Sequence, residues 1–328
     1  MQPPGYLEQL VKMLSRTEIP EFSTGASGYF SKPETDLDPA IFNDEHIRPE
    51  VRNQILGLLF RFWKRAGYRQ PERWTTVWLA GSGASYQWAA DRGNGDLDVL
   101  MGVDWDGFYA ANPEWAHVSA EAMTEHLDDE LRQDLWPRTA RTEFGGKMYE
   151  VTYFVIQSAS DIRTINPYAA YNLTACEWTV RPSRDTAYGH EFNGQWARYA
   201  DDDLARAVDL RATILSALRN ADGLQGPHRV TVLTRLSNAV GYAVAHLETI
   251  HGMRRQAFMN PLGHGYWDFD NWRWQMAKQG GIVAVLGAIA RAHKEAVAAA
   301  QQAQYGGELG GPEELTVRAV REYRDYSG

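Results

Sequence analysis

Cysteine is almost missing from this chain. The single one, Cys176, has no partner for an internal disulfide, so packing alone must hold the fold. A reducing, intracellular setting is the matching expectation, with Cys176 a small core residue. An excess of positive charge is also missing. Lys and Arg number 33 against 42 Asp and Glu, a formal net charge of −9. That excludes a protein that coats nucleic acid non-specifically, although a local basic groove stays open. No apolar run is long enough to span a bilayer; the longest, Ile282 to Ala290, is far too short. Met1-Gln2-Pro3-Pro4-Gly5 lacks the basic-then-apolar layout of a signal peptide. No His/Cys spacing suits zinc, and no repeat at solenoid or propeller spacing is visible. These absences lead to the expectation of a soluble cytoplasmic protein that makes no membrane contact.

What is present is ordinary globular material: 328 residues, 44% hydrophobic and 23% charged. That length holds one large domain or two modest ones. The twelve Trp suggest broad packed surfaces, most of them core filling.

Residues 1–45 read as an N-terminal extension, with a short helix near Tyr6–Leu14 and a Gly/Ser/Pro-rich stretch at Thr24–Pro33. Pro49 and Glu50 open a helix whose Val51, Ile55, Leu58, Leu59 and Phe62 recur at helical spacing. Strands come next at Thr75–Ala80, Leu97–Val103 and Met148–Ile156. A helix-compatible run lies at Ser85–Arg92 and a polar helix at Ser119–Leu135. Residues 46–195 therefore read as a mixed α/β core, a small sheet flanked by helices. From 196 to 328 the pattern is helical throughout. One apolar stripe runs through Val230, Leu233, Leu236, Val240, Val244 and Leu247, and another through Val283, Leu286, Ile289, His293 and Val297. His246 and His293 read as packing histidines.

The chemistry-bearing feature is Leu79-Ala80-Gly81-Ser82, thirteen residues, then Asp96-Leu97-Asp98-Val99-Leu100. Alternation on a strand puts Asp96 and Asp98 on one face, with Leu97, Val99 and Met101 on the other. Two carboxylates so placed repel each other, which favours a bound cation. Mg²⁺ suits them, since it takes one or two carboxylates and completes its octahedron with water and phosphate oxygens. The Gly81-Ser82-Gly83 turn lets backbone N–H groups approach phosphates, and a subsequent helix N-terminus would add a favourable dipole. Glu150, on the third strand, supplies a further acid. Two metals on three carboxylates stabilise the attacking and leaving oxygens of an in-line phosphoryl displacement.

This pattern resembles the polymerase-β-like nucleotidyltransferases: hydrophobic-Gly-Ser, a spacer, Asp-hydrophobic-Asp-hydrophobic, and an acid on a later strand. The third acid here is Glu150 where Asp is commoner, and the spacer is at the long end of the range. Leu37-Asp38-Pro39 with Ile41-Phe42, Tyr171-Asn172-Leu173 and Glu177-Trp178-Thr179-Val180-Arg181-Pro182 are similar to nucleotidyltransferase-like proteins frequent in phage genomes. The resemblance covers roughly residues 37–182. It implies an α/β (α+β) nucleotidyltransferase core followed by an all-helical domain. It also implies transfer of a nucleoside monophosphate from an NTP to a hydroxyl, with two Mg²⁺ ions (or Mn²⁺) on Asp96, Asp98 and Glu150. Gly81, Ser82 and Tyr86 would contact the nucleotide. Arg254, Arg255 and Lys278 are the candidates for holding the triphosphate, beside Phe258, Tyr266, Trp267, Trp272 and Trp274 as stacking platforms or packing. The first-choice acceptor is an RNA 3′ end such as that of tRNA, with protein or small-molecule hydroxyls open.

Three alternatives stand beside this. An Asp-x-Asp glycosyltransferase would use the same acids but leaves the Gly81-Ser82 turn without a role. A catalytically silent member of the same fold would bind without turnover. Gly81-x-Gly83 as half of a dinucleotide fingerprint fails at Tyr86, where the third Gly belongs. Asp104-x-Asp106-Gly107 reads as a solvated turn, because the Gly comes too early for a calcium loop.

Overall fold

The computed structural model describes residues 3–23, 28–30, 33–88, 95–156, 160–184, 194–260, 262–306 and 312–327. It is a mixed α/β protein whose C-terminal region is helical. The chain forms two compact units, neither continuous in sequence. One joins residues 1–27, 190–257 and 267–309; the other joins 28–189, 258–266 and 310–328.

The first element is α1 (Tyr6–Arg16), which belongs to the helical unit. Its buried Tyr6, Leu10 and Leu14 recur every fourth residue and line one face. The residues expected to form a single N-terminal extension thus divide between units, because α1 has an apolar stripe to bury and finds a helical partner for it.

The sheet unit begins with a small ribbon, β1 (Phe42–Asn43) and β2 (His46–Ile47), and the helix α2 (Pro49–Arg65). After α3 (Pro71–Trp74), β3 (Thr75–Ala80) leads through a turn to β4 (Gly95–Val103). Next come α4 (Trp105–Ala111), α5 (Ala120–Glu130) and α6 (Trp136–Thr139), with a π-helical turn at Leu131–Leu135 between the last two. β5 (Thr142–Phe144), β6 (Lys147–Val155), β7 (Ala170–Asn172) and β8 (Glu177–Val180) complete a six-stranded sheet of order β5-β6-β4-β3-β7-β8. β4 and β6 pair in parallel and every other pair is antiparallel. A parallel pair needs a long crossover, and the helical segment from α4 to α6 supplies it.

Alternation gives the central strands two unlike faces. Val77, Leu79, Leu97, Val99, Met101, Val151, Tyr153 and Val155 enter the main core with Val51, Ile55, Leu59 and Trp63 of α2. The Tyr153 hydroxyl donates to the Ile55 carbonyl at 3.0 Å and ties β6 to α2. The opposite face carries a smaller apolar cluster of Trp78, Ala80, Ile156, Ile162 and Ala170. Asp104 caps α4 by accepting from the Gly107 N–H, so the solvated turn expected there is a helix start. Cys176 is not a core residue. It is exposed and left-handed (φ 60°) in the turn between β7 and β8, and such connections run over the surface.

The helical unit contains α7 (Gly194–Ala221), most of α8 (Gly226–Met259), α9 (Phe269–Gln279) and α10 (Ile282–Tyr305). Its core is rich in alanine: Ala207, Ala217, Ala243, Ala292 and Ala296 sit among Leu236, Val240, Val285, Leu286 and Ile289. Val230 falls outside the expected stripe. It is 60% exposed, since the first turn of α8 has nothing packed over that position. His293 packs as expected, sharing a 2.8 Å hydrogen bond with the Tyr6 hydroxyl. His246 is buried beside Asp203, which takes a bidentate pair from Arg273 at 2.6 and 2.7 Å. The last helix, α11 (Pro312–Ser327), returns to the sheet unit, where Val317 and Val320 pack on its core. Among the described residues no helix is long and apolar enough to cross a membrane.

Candidate functional site

The expected carboxylates share one sheet face. Leu97, Val99 and Met101 are fully buried, so the period of two turns Asp96 and Asp98 to the other side. Glu150 lies opposite Asp96 in the parallel β4–β6 register, and Thr152 lies opposite Asp98. Neighbours across a ladder share a face, so Asp96, Asp98 and Glu150 stand together across two adjacent strands. Asp96 is exposed; Asp98 and Glu150 are half-buried. Among the described residues no three His, Cys, Asp or Glu side chains form a ready metal cluster. The two aspartates, with Glu150 one strand away, nonetheless match the donor set of a hard cation that needs only one or two carboxylates.

The Gly81 turn lies directly against the aspartates. Ala80, at the end of β3, pairs with Asp98, and Gly81 comes next at φ 73°, ψ −156°. That conformation is essentially reserved for glycine. A Cβ there would lie 2.6 Å from Asp98 Oδ2, so the missing side chain is what allows the carboxylate to rest on the turn. Gly83 is equally constrained: a Cβ would meet Leu97 Cδ2 at 2.5 Å and the Asp96 carbonyl at 2.9 Å. Turn and aspartates are one packed unit.

The segment after the turn differs from the expectation. Ser82–Ala84 form a single 3₁₀ turn, and Ser85 is extended (φ −136°, ψ 178°). The helix expected at Ser85–Arg92 is absent over residues 85–88, and residues 89–94 lie outside the described residues. The reason is local: the Ser85 N–H and Oγ both bond the Ser82 carbonyl, at 3.0 and 3.1 Å, closing the turn. Among the described residues no helix starts directly after this turn, so its exposed groups are those of the turn backbone and its neighbouring side chains.

Two cationic side chains beside this segment escape sequence reading. Arg184 stacks over the ring of Tyr86, 4.9 Å from its centroid. Lys147 lies 5.0 Å from the centroid of Trp88 and 3.9 Å from Asp38 Oδ1. Neither spacing had a motif; the contacts with the Tyr86 and Trp88 rings are what bring these residues to the segment after Ser82. Asp38 is 3% exposed and accepts the Tyr149 hydroxyl at 2.7 Å, next to Glu150 in sequence. Burial first, then the Asp38 bond and charge, raise the Tyr149 phenol well above its ordinary pKa, so it stays a donor. Phe42 stacks on Trp178 with 5.6 Å between centroids and meets Tyr171 edge-on at 6.0 Å.

Glu150 has a partner the sequence did not indicate. Trp136 Nε1 donates to Glu150 Oε1 at 2.8 Å. The expected triphosphate cations belong to the helical unit. Arg254 lies over Trp274 (5.5 Å) and donates to Asn271 at 3.4 Å, while Arg255 and Lys278 are exposed. Burial, and after it the charges of Arg254 and Arg255, lower the pKa of His251. Trp272 packs against Trp196 and Phe269 inside that unit. No protein-family model, curated protein or solved structure matches the chain.

Proposed function

We propose that this protein is a metal-dependent nucleotidyltransferase of the polymerase-β-like kind, moving a nucleoside monophosphate from an NTP to a hydroxyl. The observation that carries the reading is the packing of the Gly81 turn onto Asp98, with Asp96 and Glu150 in register on the same face. It puts a close-approach backbone turn beside paired carboxylates, which is what recognition of a metal-bound triphosphate requires. Asp96 and Asp98 would hold Mg²⁺, with Glu150 completing a second position. Bound there, the cations would neutralise charge building up on the phosphoryl oxygens. Gly81 and Ser82 would cradle the terminal phosphates, with Tyr86 and Arg184 beside them.

In the transfer, the acceptor oxygen bonds to the α-phosphorus and the bond from that phosphorus to the bridging oxygen breaks. Pyrophosphate leaves, and the acceptor proton passes to a water beside Glu150. The acceptor to try first is an RNA 3′ end such as that of tRNA. The net charge of −9 keeps protein and small-molecule hydroxyls in view.

The test is incubation with Mg²⁺ and each α-labelled NTP in turn, with total RNA, with a protein extract, and alone. Label in one acceptor fraction, absent with Asp96→Ala, is the expected result and names base and acceptor together. Release of a nucleoside diphosphate from a sugar nucleotide would replace the reading with glycosyl transfer. Metal-dependent NTP binding with no transfer to any acceptor would replace it with a silent binding module.

A further inference from the structure

Trp136 is a large apolar residue left 39% exposed, yet three features of the sheet unit fix where it points. First, β5 pairs with β6 only as far as Tyr149, so the rest of β6 is an open edge. The helical segment covers that edge: Thr139 Oγ1 donates to the Val151 carbonyl at 2.7 Å, and Asp128 Oδ1 accepts from the Val155 N–H at 2.7 Å. Thr139 itself is fully buried. Second, a π-helical turn at Leu131–Leu135 ends directly before Trp136, and such turns are frequent at functional sites. Third, the indole makes its hydrogen bond to Glu150 Oε1, the acid that shares a face with Asp96 and Asp98.

We infer that Trp136 is the positioning residue of the candidate site: its indole holds one Glu150 oxygen, which would leave the other for a divalent cation. This rests on the proposed function above. Indole suits that role because it donates one hydrogen bond, accepts none, and brings no charge that would compete with the cation. A Lys or Arg at the same place would neutralise the carboxylate, whereas Trp136 orients it and leaves its charge for the metal. Partners of this kind, one step removed from a metal, are generally worth about 10–100-fold in affinity.

The experiment is a Mn²⁺ titration of the full chain, with free Mn²⁺ read by electron paramagnetic resonance and bound Mn²⁺ by quenching of indole emission. Wild type should bind Mn²⁺ and lose part of its emission. Trp136→Phe, which keeps a ring but not the donor, should bind about 10–100-fold more weakly and lose that quenched component. Glu150→Gln should weaken binding in the same way with the indole still present. The double variant should be no worse than Glu150→Gln alone, because the two side chains act as one unit. Circular dichroism reports whether each variant is folded.

A folded Trp136→Phe with wild-type Mn²⁺ affinity overturns the assignment of Trp136 and leaves the site reading standing. A double variant that falls additively does the same. Wild type that binds no Mn²⁺, with or without NTP, overturns both.

Discussion

The two units solve the packing problem with different residues. In the sheet unit the core beneath β3, β4 and β6 is aromatic: Trp63, Tyr68, Trp74, Phe108 and Trp115 meet in edge-on and stacked pairs 5.0–6.5 Å apart. In the helical unit the core is built on alanine, which lets helices approach closely, and its buried charge is the Asp203–Arg273 pair beside His246. Large rigid rings give the sheet a fixed underside, so the carboxylates on its other face are held in register without needing one another. The Asp203–Arg273 pair is neutralised inside the helical unit, whereas Asp96, Asp98 and Glu150 lie on a partly exposed sheet face. The candidate acids can therefore be changed apart from the sheet unit's core, whereas the Asp203–Arg273 pair is part of the helical unit's own packing.

The sharpest way to break that contrast is at β4 itself. Asp98→Asn should lower nucleotidyl transfer on the order of 10²–10³-fold, the scale of losing one transition-state charge partner. Its thermal midpoint should hardly move, since the side chain contributes nothing to the main core. Trp74→Ala, on the same unit's underside, should cost about 3–5 kcal/mol in denaturant unfolding through the cavity it leaves. A comparable loss, about 3–5 kcal/mol, is expected from Arg273→Ala, which strands the Asp203 carboxylate in the helical core. Gly81→Ala should cost about 1–3 kcal/mol from backbone strain, and should also displace Asp98 and reduce Mn²⁺ binding. If Asp98→Asn unfolds the protein, or Arg273→Ala leaves stability intact, the contrast fails.

The smallest expected effect is on pH dependence. Burial lowers the pKa of His246 against the opposing charge of Asp203, and lowers that of His293 against Glu248. The folded state then keeps both imidazoles neutral, while the unfolded chain takes up protons near pH ~6.5. Their contribution is complete above that value and is lost as pH falls below it towards the folded pKa values. Unfolding of the helical unit should grow easier below pH ~6.5, and His246→Gln should flatten that slope. A slope unchanged in the variant would mean that His246 is not its source.

Much of the sheet unit could be read in the sequence because its strands alternate cleanly. The buried Leu97, Val99 and Met101 predict the outward turn of Asp96 and Asp98, and the β4–β6 register puts Glu150 opposite Asp96. α2 begins at the predicted Pro49 for the same reason that prolines favour first turns. The features that were not legible depend on distant partners. α1 joins the helical unit because α10 offers a complementary face, which no local pattern reveals. The turn after Gly81 closes on itself, with the Ser85 N–H and hydroxyl both bonded to the Ser82 carbonyl, rather than starting a helix. Trp136 and Arg184 reach the site by edge docking and ring stacking, neither of which leaves a spacing signature.

The most direct test of the central claim is to follow pyrophosphate release and α-label incorporation together, in wild type and in Asp96→Ala, with Mg²⁺ present and then removed by chelation. The account predicts equal amounts of both products from wild type, loss of both on chelation, and loss of both in a folded Asp96→Ala. Equal incorporation by wild type and Asp96→Ala, or transfer that survives chelation, would contradict it.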